Sequence, residues 1–170
     1  MIYFDNSATT LPYKEAVDSF IAVTTKYFGN PSSLHGLGAQ AEKLLAQARK
    51  QTASLLEVKE QEIFFTSGGT EGNNIAIKGA ALANQSKGKH LIVSSIEHDS
   101  IKQAAEQMKE LGFEVTYLPV TESGHVEVEA LKNEMRPDTI LVSVMHVNNE
   151  MGAIQPIEEI GKLLKEYPKT

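Results

Sequence analysis

Residues 67–71, with the sequence Ser-Gly-Gly-Thr-Glu, have the residue types of an anion-binding turn. They follow a short apolar run and open a stretch that predicts a helix. The first N–H groups of a helix lack an intrahelical partner, and the helix dipole favours negative charge there. Gly68 and Gly69 let the backbone approach a phosphate closely, and Thr70 adds a hydroxyl donor. The turn therefore predicts a site for a phosphate group.

An ordinary connection between a strand and a helix, with Thr70 as the helix cap, explains the same segment about as well. The known nucleotide loops are disfavoured. No Lys-Ser or Lys-Thr pair ends the turn, and the Gly-x-Gly-x-x-Gly spacing is absent. On this segment alone, phosphate binding and a plain turn both remain open.

Two further polar segments, residues 97–99 and 148–150, follow predicted strands. The imidazole of His98 could act as an acid or base, or stack on a planar ligand. A lone histidine on a solvated helix face is the more common case. Asn148 or Asn149 could donate amide hydrogens to a ligand oxygen. Asparagine is also a frequent turn residue, and the two roles can hold at once.

The elements that must position these segments alternate between extended and helical patterns. The predicted strands are residues 63–65, 90–94, 113–118 and 139–144. The predicted helices are residues 17–27, 41–55, 71–83, 99–111, 128–135 and 157–167, with Asp99 or Ser100 capping the fourth and Pro168 ending the last. The helix at 71–83 has little polar surface, so we expect it to be well buried. The alternation predicts an α/β fold with a mainly parallel sheet, in which the three polar segments can converge on one pocket.

The composition of the chain argues against several classes of function. A net charge of -6 without a basic stripe disfavours nucleic-acid binding, and no apolar run approaches the ~20 residues of a membrane span. The absence of cysteine excludes disulfides, thiolate metal sites and a cysteine nucleophile within these residues. The five histidines form no ligand pair on one helix face, so we expect no metal site. A soluble, cytoplasmic protein is the default expectation.

Five motifs in order resemble one family. They are residues 3–10 (YFDNSATT), residues 30–33 (NPSS) with His35 and Gly38, residues 66–74 (TSGGTEGNN), residues 97–98 (EH) and residues 145–152 (MHVNNEMG). Together they are similar to the cysteine desulfurases, which are pyridoxal-phosphate enzymes of the class V aminotransferase group. The form of the phosphate loop resembles the NifS/IscS-like branch, which serves iron–sulfur cluster assembly and tRNA thiolation.

This resemblance implies a role for each candidate site residue. Gly69 and Thr70 would hold the phosphate of pyridoxal 5'-phosphate. His98 would stack on the pyridine ring and act as the catalytic residue that moves protons. Asn149 would donate to the ring's phenolic oxygen, which tunes the cofactor as an electron sink. The implied fold is the large domain of a fold-type I pyridoxal-phosphate-dependent transferase.

The resemblance also implies a reaction and its partners. The family converts L-cysteine to L-alanine and holds the sulfur as a persulfide on an enzyme cysteine. A sulfur-acceptor protein, either an iron–sulfur scaffold or a tRNA thiolation enzyme, would then take the sulfur from a homodimeric enzyme. The alternatives are selenocysteine lyase or another class V relative, and a non-catalytic phosphate-binding module.

The chain departs from the family by lacking several of its residues. The lysine that forms the Schiff base, the aspartate that pairs with the pyridine nitrogen and the nucleophilic cysteine have no match here. We therefore expect residues 1–170 to be the N-terminal segment and the first part of the cofactor-binding large domain. On this interpretation the rest of that domain and the small domain are absent, and the chain alone is inactive.

Overall fold

The structure, a computed structural model, describes residues 2–167 and Thr170. The chain divides into two compact units, Met1–Phe65 and Thr66–Thr170. The first unit contains helix α1 (Lys14–Lys26), helix α2 (Gly36–Leu55) and a single 3₁₀ turn (Glu60–Glu62). No helix in the described residues is long and apolar enough to cross a membrane.

Helix α2 begins in a close-packed turn. The His35 Nδ1 atom caps the helix by accepting a hydrogen bond from the N–H of Gly38 at 3.3 Å. A Cβ atom on Gly38 would overlap the carbonyl oxygen of Ser33, so only glycine fits at this position. The motif residues His35 and Gly38 are therefore accounted for by the local geometry of the turn.

The predicted strand at residues 63–65 is wrong. Ile63 has extended backbone angles, but its polar groups are bonded outside any sheet. Its N–H donates to the carbonyl oxygen of Glu60 at 3.2 Å, and its carbonyl oxygen accepts from Arg49 Nε at 3.3 Å. These two groups of Ile63 are therefore not free to pair with a neighbouring strand, and residues 63–65 belong to no strand. The apolar pattern was therefore insufficient to make a strand.

The second unit is built on a parallel sheet, which confirms the predicted α/β class. Its elements are helix α3 (Gly69–Asn84), strand β1 (His90–Ser94), helix α4 (Asp99–Glu110), strand β2 (Glu114–Leu118), helix α5 (Val128–Glu134), strand β3 (Thr139–Ser143) and helix α6 (Ile157–Leu164). The strand order is β2-β1-β3, and both pairings are parallel. Strand β1 therefore lies in the centre, and all five of its residues are buried.

The side chains of β1 alternate between two cores, as the period of a strand requires. Leu91 and Val93 face the core formed with α3 and α4. Ile92 faces the opposite core, which contains Leu131 of α5 and Ile160 of α6. The sheet is thus covered on both faces, which is usual for parallel strands. Each fully buried aliphatic side chain contributes about 1.5–3 kcal/mol to folding.

Two details of the helices differ from the predictions. Helix α3 buries only Ile77 and Ala81, whereas Ile75 is 53% exposed, so its low polarity does not reflect a well-buried helix. Helix α6 ends at Leu164 rather than at Tyr167. Pro168, the predicted stop, lies outside the described residues. The other predicted elements of this unit agree with the observed ones to within two residues.

Candidate functional site

The candidate site lies beyond the carboxyl ends of β1 and β3. These two strands are hydrogen-bonded neighbours, so the loops that follow them emerge side by side. Both loops line one cavity of about 310 Å³, formed by residues 95–99, Lys102 and residues 148–151. His98 and Asn149, which the sequence analysis singled out separately, are thereby brought to the same cavity.

His98 is the N-cap residue of α4, so neither Asp99 nor Ser100 caps this helix as predicted. The Nδ1 atom of His98 accepts a hydrogen bond from the backbone N–H of Ser100 at 3.1 Å. The same atom lies 2.8 Å from the Ser100 hydroxyl oxygen. The side chain of His98 is exposed on the cavity wall. A ring nitrogen can cap a helix as a carboxylate or hydroxyl oxygen does, because each is a hydrogen-bond acceptor.

The two adjacent asparagines have different surroundings. Asn148 is buried, and its Oδ1 atom accepts hydrogen bonds from the N–H groups of Glu150 at 2.9 Å and Met151 at 2.8 Å. Its Nδ2 atom donates to the carbonyl oxygen of Ile96 at 3.2 Å, which ties this loop to the loop that carries His98. Asn149 is exposed and lines the cavity. Asn148 therefore builds the turn, and Asn149 has the amide that is available to a ligand.

The glycine turn forms the N-terminus of α3. Gly68 is the N-cap, and the first turn closes with a bond from the N–H of Gly72 to the carbonyl oxygen of Gly68 at 3.1 Å. The N–H groups of Gly69 and Thr70 precede that bond, so they have no partner within the helix. A Cβ atom added to Gly68 or Gly69 would meet nothing within 4 Å, so there is room beside the backbone. The turn thus offers two amides and one hydroxyl to a ligand.

Glu71 introduces a negative charge at the same helix end. Its carboxylate accepts a hydrogen bond from the N–H of Ser67. This bond, together with the Ser67 side chain, lowers the pKa of Glu71 below its usual value. The carboxylate therefore uses one donor of the turn, whereas the amides of Gly69 and Thr70 remain for an external anion.

The glycine turn does not line the cavity that holds His98 and Asn149. It is linked to that region through the N-terminal parts of α3 and α4. The Nδ2 atom of Asn73 in α3 donates to the Ser100 hydroxyl oxygen at 2.8 Å, and Ser100 contacts His98. The N-termini of α3 and α4 are thus adjacent. Sequence reasoning missed the contact between Asn73 and Ser100, because no local pattern indicates a contact between residues 27 positions apart.

Glu97 is a buried acid that sequence reasoning noted only as part of a motif. Its Oε1 atom has no hydrogen-bond partner within residues 2–167 and 170. Burial raises the pKa of Glu97, whereas a hydrogen bond from the Met145 N–H acts in the opposite direction. Among the residues described, no three histidine, aspartate or glutamate side chains are grouped so that they could hold a metal ion.

Comparison with known proteins shows the family to which the chain belongs. The family described as Aminotransferase class-V matches residues 2–169. The chain is 55% identical over 168 residues to a NifS/IcsS protein homolog of Lactobacillus delbrueckii subsp. bulgaricus, covering 99% of this chain and 44% of the relative. It is 51% identical over 165 residues to the cysteine desulfurase IscS of Methanosarcina thermophila, covering 97% of this chain and 41% of the relative. The chain thus spans less than half the length of these curated relatives.

Solved structures agree with the sequence relatives. A NifS-like protein superposes with a TM-score of 0.94 at 36% identity, covering 99% of this chain and 47% of that protein. SspA in complex with cysteine superposes with a TM-score of 0.91 at 38% identity, covering 98% of this chain and 48% of that protein. The predicted resemblance to the cysteine desulfurases and their fold is confirmed.

Proposed function

Because the chain belongs to the class V aminotransferase family, we propose that its second compact unit binds pyridoxal 5'-phosphate as the N-terminal portion of a cysteine desulfurase. The observation that carries this proposal is the shared cavity of His98 and Asn149. An imidazole and a side-chain amide beside one space suit a planar aromatic ring that carries a phenolic oxygen.

The glycine turn fits the phosphate of this cofactor. The free amides of Gly69 and Thr70 point out of a helix N-terminus, where the dipole favours a dianion. The open space beside Gly69 lets phosphate oxygens approach the backbone. The Thr70 hydroxyl adds a third donor. No basic side chain is needed for this binding, because backbone dipoles supply the positive potential.

The cavity residues fit the ring. Asn149 would donate its amide hydrogen to the phenolic oxygen and so favour the ionised oxygen. The imidazole of His98 would lie against the ring and carry a proton to or from the substrate. When bound, the cofactor supplies an electron sink for bond cleavage at the substrate's α-carbon.

We propose L-cysteine as the substrate and L-alanine as the product. The names of the relatives support a desulfurase, and the similar SspA structure is one in complex with cysteine. The sulfur would be passed to a cysteine thiolate, which would then hold it as a persulfide. The chain has no cysteine, so that step requires residues outside this sequence. We further propose a cytoplasmic homodimer that delivers sulfur to an iron–sulfur scaffold or a tRNA thiolation enzyme.

Cofactor binding can be measured without interference from surface lysines. The probe is 4-deoxypyridoxine 5'-phosphate, which has a methyl group in place of the aldehyde and so cannot react with amines. Calorimetric titration of the full chain should detect binding. Thr70→Ala should weaken binding by roughly tenfold, because one hydrogen bond to a charged oxygen is lost. Asn149→Ala should weaken it by a similar factor.

Two controls make this test specific. The same titration with 4-deoxypyridoxine, which lacks the phosphate, should show no effect of Thr70→Ala. Asn84→Ala removes a side-chain bond to the Ala80 carbonyl oxygen at the other end of α3, and should leave binding of both probes unchanged. Failure of the wild-type chain to bind the phosphorylated probe would show that the proposed function is wrong.

A further inference from the structure

We propose that Asn73 and Ser100 are positioning residues that hold the His98 imidazole in the tautomer with its proton on Nε2. This inference rests on the proposed function, since it gives the proton-carrying histidine a defined reactive atom. It depends on three hydrogen bonds that converge from helices α3 and α4. The sequence analysis gave neither residue a role in orienting His98.

The first bond determines the role of Nδ1. A backbone N–H can only donate, and the N–H of Ser100 points at His98 Nδ1 over 3.1 Å. Nδ1 must therefore be an acceptor and carries no proton in the neutral ring. In a neutral imidazole the other nitrogen then carries the hydrogen.

The second and third bonds determine the polarity of the Ser100 hydroxyl. The Asn73 amide donates to Ser100 Oγ at 2.8 Å, so that oxygen acts as an acceptor toward α3. The hydroxyl has a single proton, which is then free to point at His98 Nδ1, 2.8 Å away. Ser100 is buried, with 7% of its surface exposed, so water competes little for these bonds. The hydrogen bonds therefore all donate in one direction, from Asn73 to Ser100 and from Ser100 to His98.

The consequence is a defined proton site at the cavity. Within the part of the chain that the structure describes, Nδ1 is occupied by two donors from Ser100, whereas no partner is found for Nε2. Proton exchange with a substrate therefore takes place at Nε2. Asn73 lies in α3 just after its first turn, so the helix that presents the glycine turn also orients the imidazole.

Nitrogen-15 NMR can read the tautomer directly in the full chain without cofactor. Long-range proton–nitrogen correlation distinguishes a protonated ring nitrogen from an unprotonated one. His98→Gln assigns the signals among the five histidines. We expect the neutral ring of His98 to show a protonated Nε2 and an unprotonated Nδ1. A protonated Nδ1, or an even mixture of the two tautomers, would overturn the proposal.

Asn73→Asp tests the direction of donation in this series of hydrogen bonds. A carboxylate is an acceptor only, so it would draw the Ser100 hydroxyl proton toward α3 and turn a lone pair toward His98. The share of the Nδ1-protonated tautomer should then rise by roughly fivefold, the change expected for one hydrogen bond of ordinary net strength. Ser100→Ala should raise it less, because alanine removes the hydroxyl donor without placing an acceptor beside Nδ1.

The matched control is Asn74→Asp. It introduces the same charge one residue further along α3, where the asparagine side chain bonds the Thr70 carbonyl oxygen rather than Ser100. An equal change in both aspartate variants, or none in Asn73→Asp, would refute a positioning role for Asn73. Titration with 4-deoxypyridoxine 5'-phosphate separates this result from the proposed function, because the tautomer is measured in the absence of cofactor.

Discussion

Gln155 holds together the segment that carries Asn149, and replacing it should destabilise the second unit. The side chain is 3% exposed, and both of its polar atoms are used. Its Oε1 atom accepts from the N–H of Val126 at 2.8 Å, and its Nε2 atom donates to the carbonyl oxygen of Gly124 at 2.7 Å. The backbone N–H of Gln155 also donates to the carbonyl oxygen of His146 at 2.8 Å. One residue thus joins the turn at 124–126 to the loop after β3.

The cost of Gln155→Ala follows from the groups it leaves unpaired. The N–H of Val126 and the carbonyl oxygen of Gly124 both belong to buried residues. An unsatisfied buried polar group costs about 1–3 kcal/mol, so the two together should cost about 2–6 kcal/mol. That loss is a large part of the roughly 5–15 kcal/mol by which typical domains are stable.

Urea unfolding of the full chain, followed by circular dichroism, measures the difference in unfolding free energy. Gln103→Ala, a truncation of an exposed glutamine on α4, is the matched control and should change stability by less than about 0.5 kcal/mol. Gln155→Glu should be most destabilising at neutral pH, since an ionised carboxylate cannot donate to the Gly124 carbonyl oxygen. If Gln155→Ala unfolds within about 0.5 kcal/mol of the wild type, the two hydrogen bonds do not stabilise the unit and this reasoning is wrong.

Two further predictions concern packing and protonation in the same unit. Gly88→Ala should destabilise the fold by about 1–3 kcal/mol or more, because its Cβ would overlap the carbonyl oxygen of Asp138. Gly79→Ala on α3 should instead stabilise the fold by about 0.5–1 kcal/mol, because its Cβ would meet nothing within 4 Å. Thermal melts of the two variants and the wild type measure the difference. Burial, and secondly the charge of Arg136, lowers the pKa of His90. The unfolded chain therefore takes up the proton first, so stability should fall as the pH drops below about 6.5, and His90→Gln should remove this part of the pH dependence in urea titrations.

The sheet was predictable because its signal is local. Strands β1, β2 and β3 are short apolar runs separated by amphipathic helices, and that alternation leaves few alternatives to a parallel sheet. The run at 63–65 has a similar composition but forms no strand. A strand needs a partner with free backbone groups, and Ile63 bonds to Glu60 and Arg49 instead. Pairing is a property of the fold, so composition alone could not distinguish the two cases.

The candidate site was likewise predictable from the sequence only in part. Position along the chain indicated which loops follow strands, and so which residues could meet at one edge of the sheet. Position alone could not distinguish Asn148 from Asn149, because the two are identical in type and adjacent, and only the family resemblance selected Asn149. The difference lies in the turn, where Asn148 accepts from two backbone amides and Asn149 does not. The contact from Asn73 to Ser100 joins two helices and was equally invisible.

The charge of the chain also bears on how the site would attract a phosphate. The net charge of -6 opposes an approaching dianion, and no lysine or arginine belongs to the turn at 67–71. At physiological ionic strength, repulsion from distant carboxylates is screened over about 8 Å, whereas a bound phosphate contacts the helix amides directly. The Asn73 side chain, just after the first turn of α3, bonds to Ser100 in the first turn of α4, so this bond joins the N-terminal parts of the two helices. Local backbone geometry, rather than overall charge, therefore determines where an anion can bind.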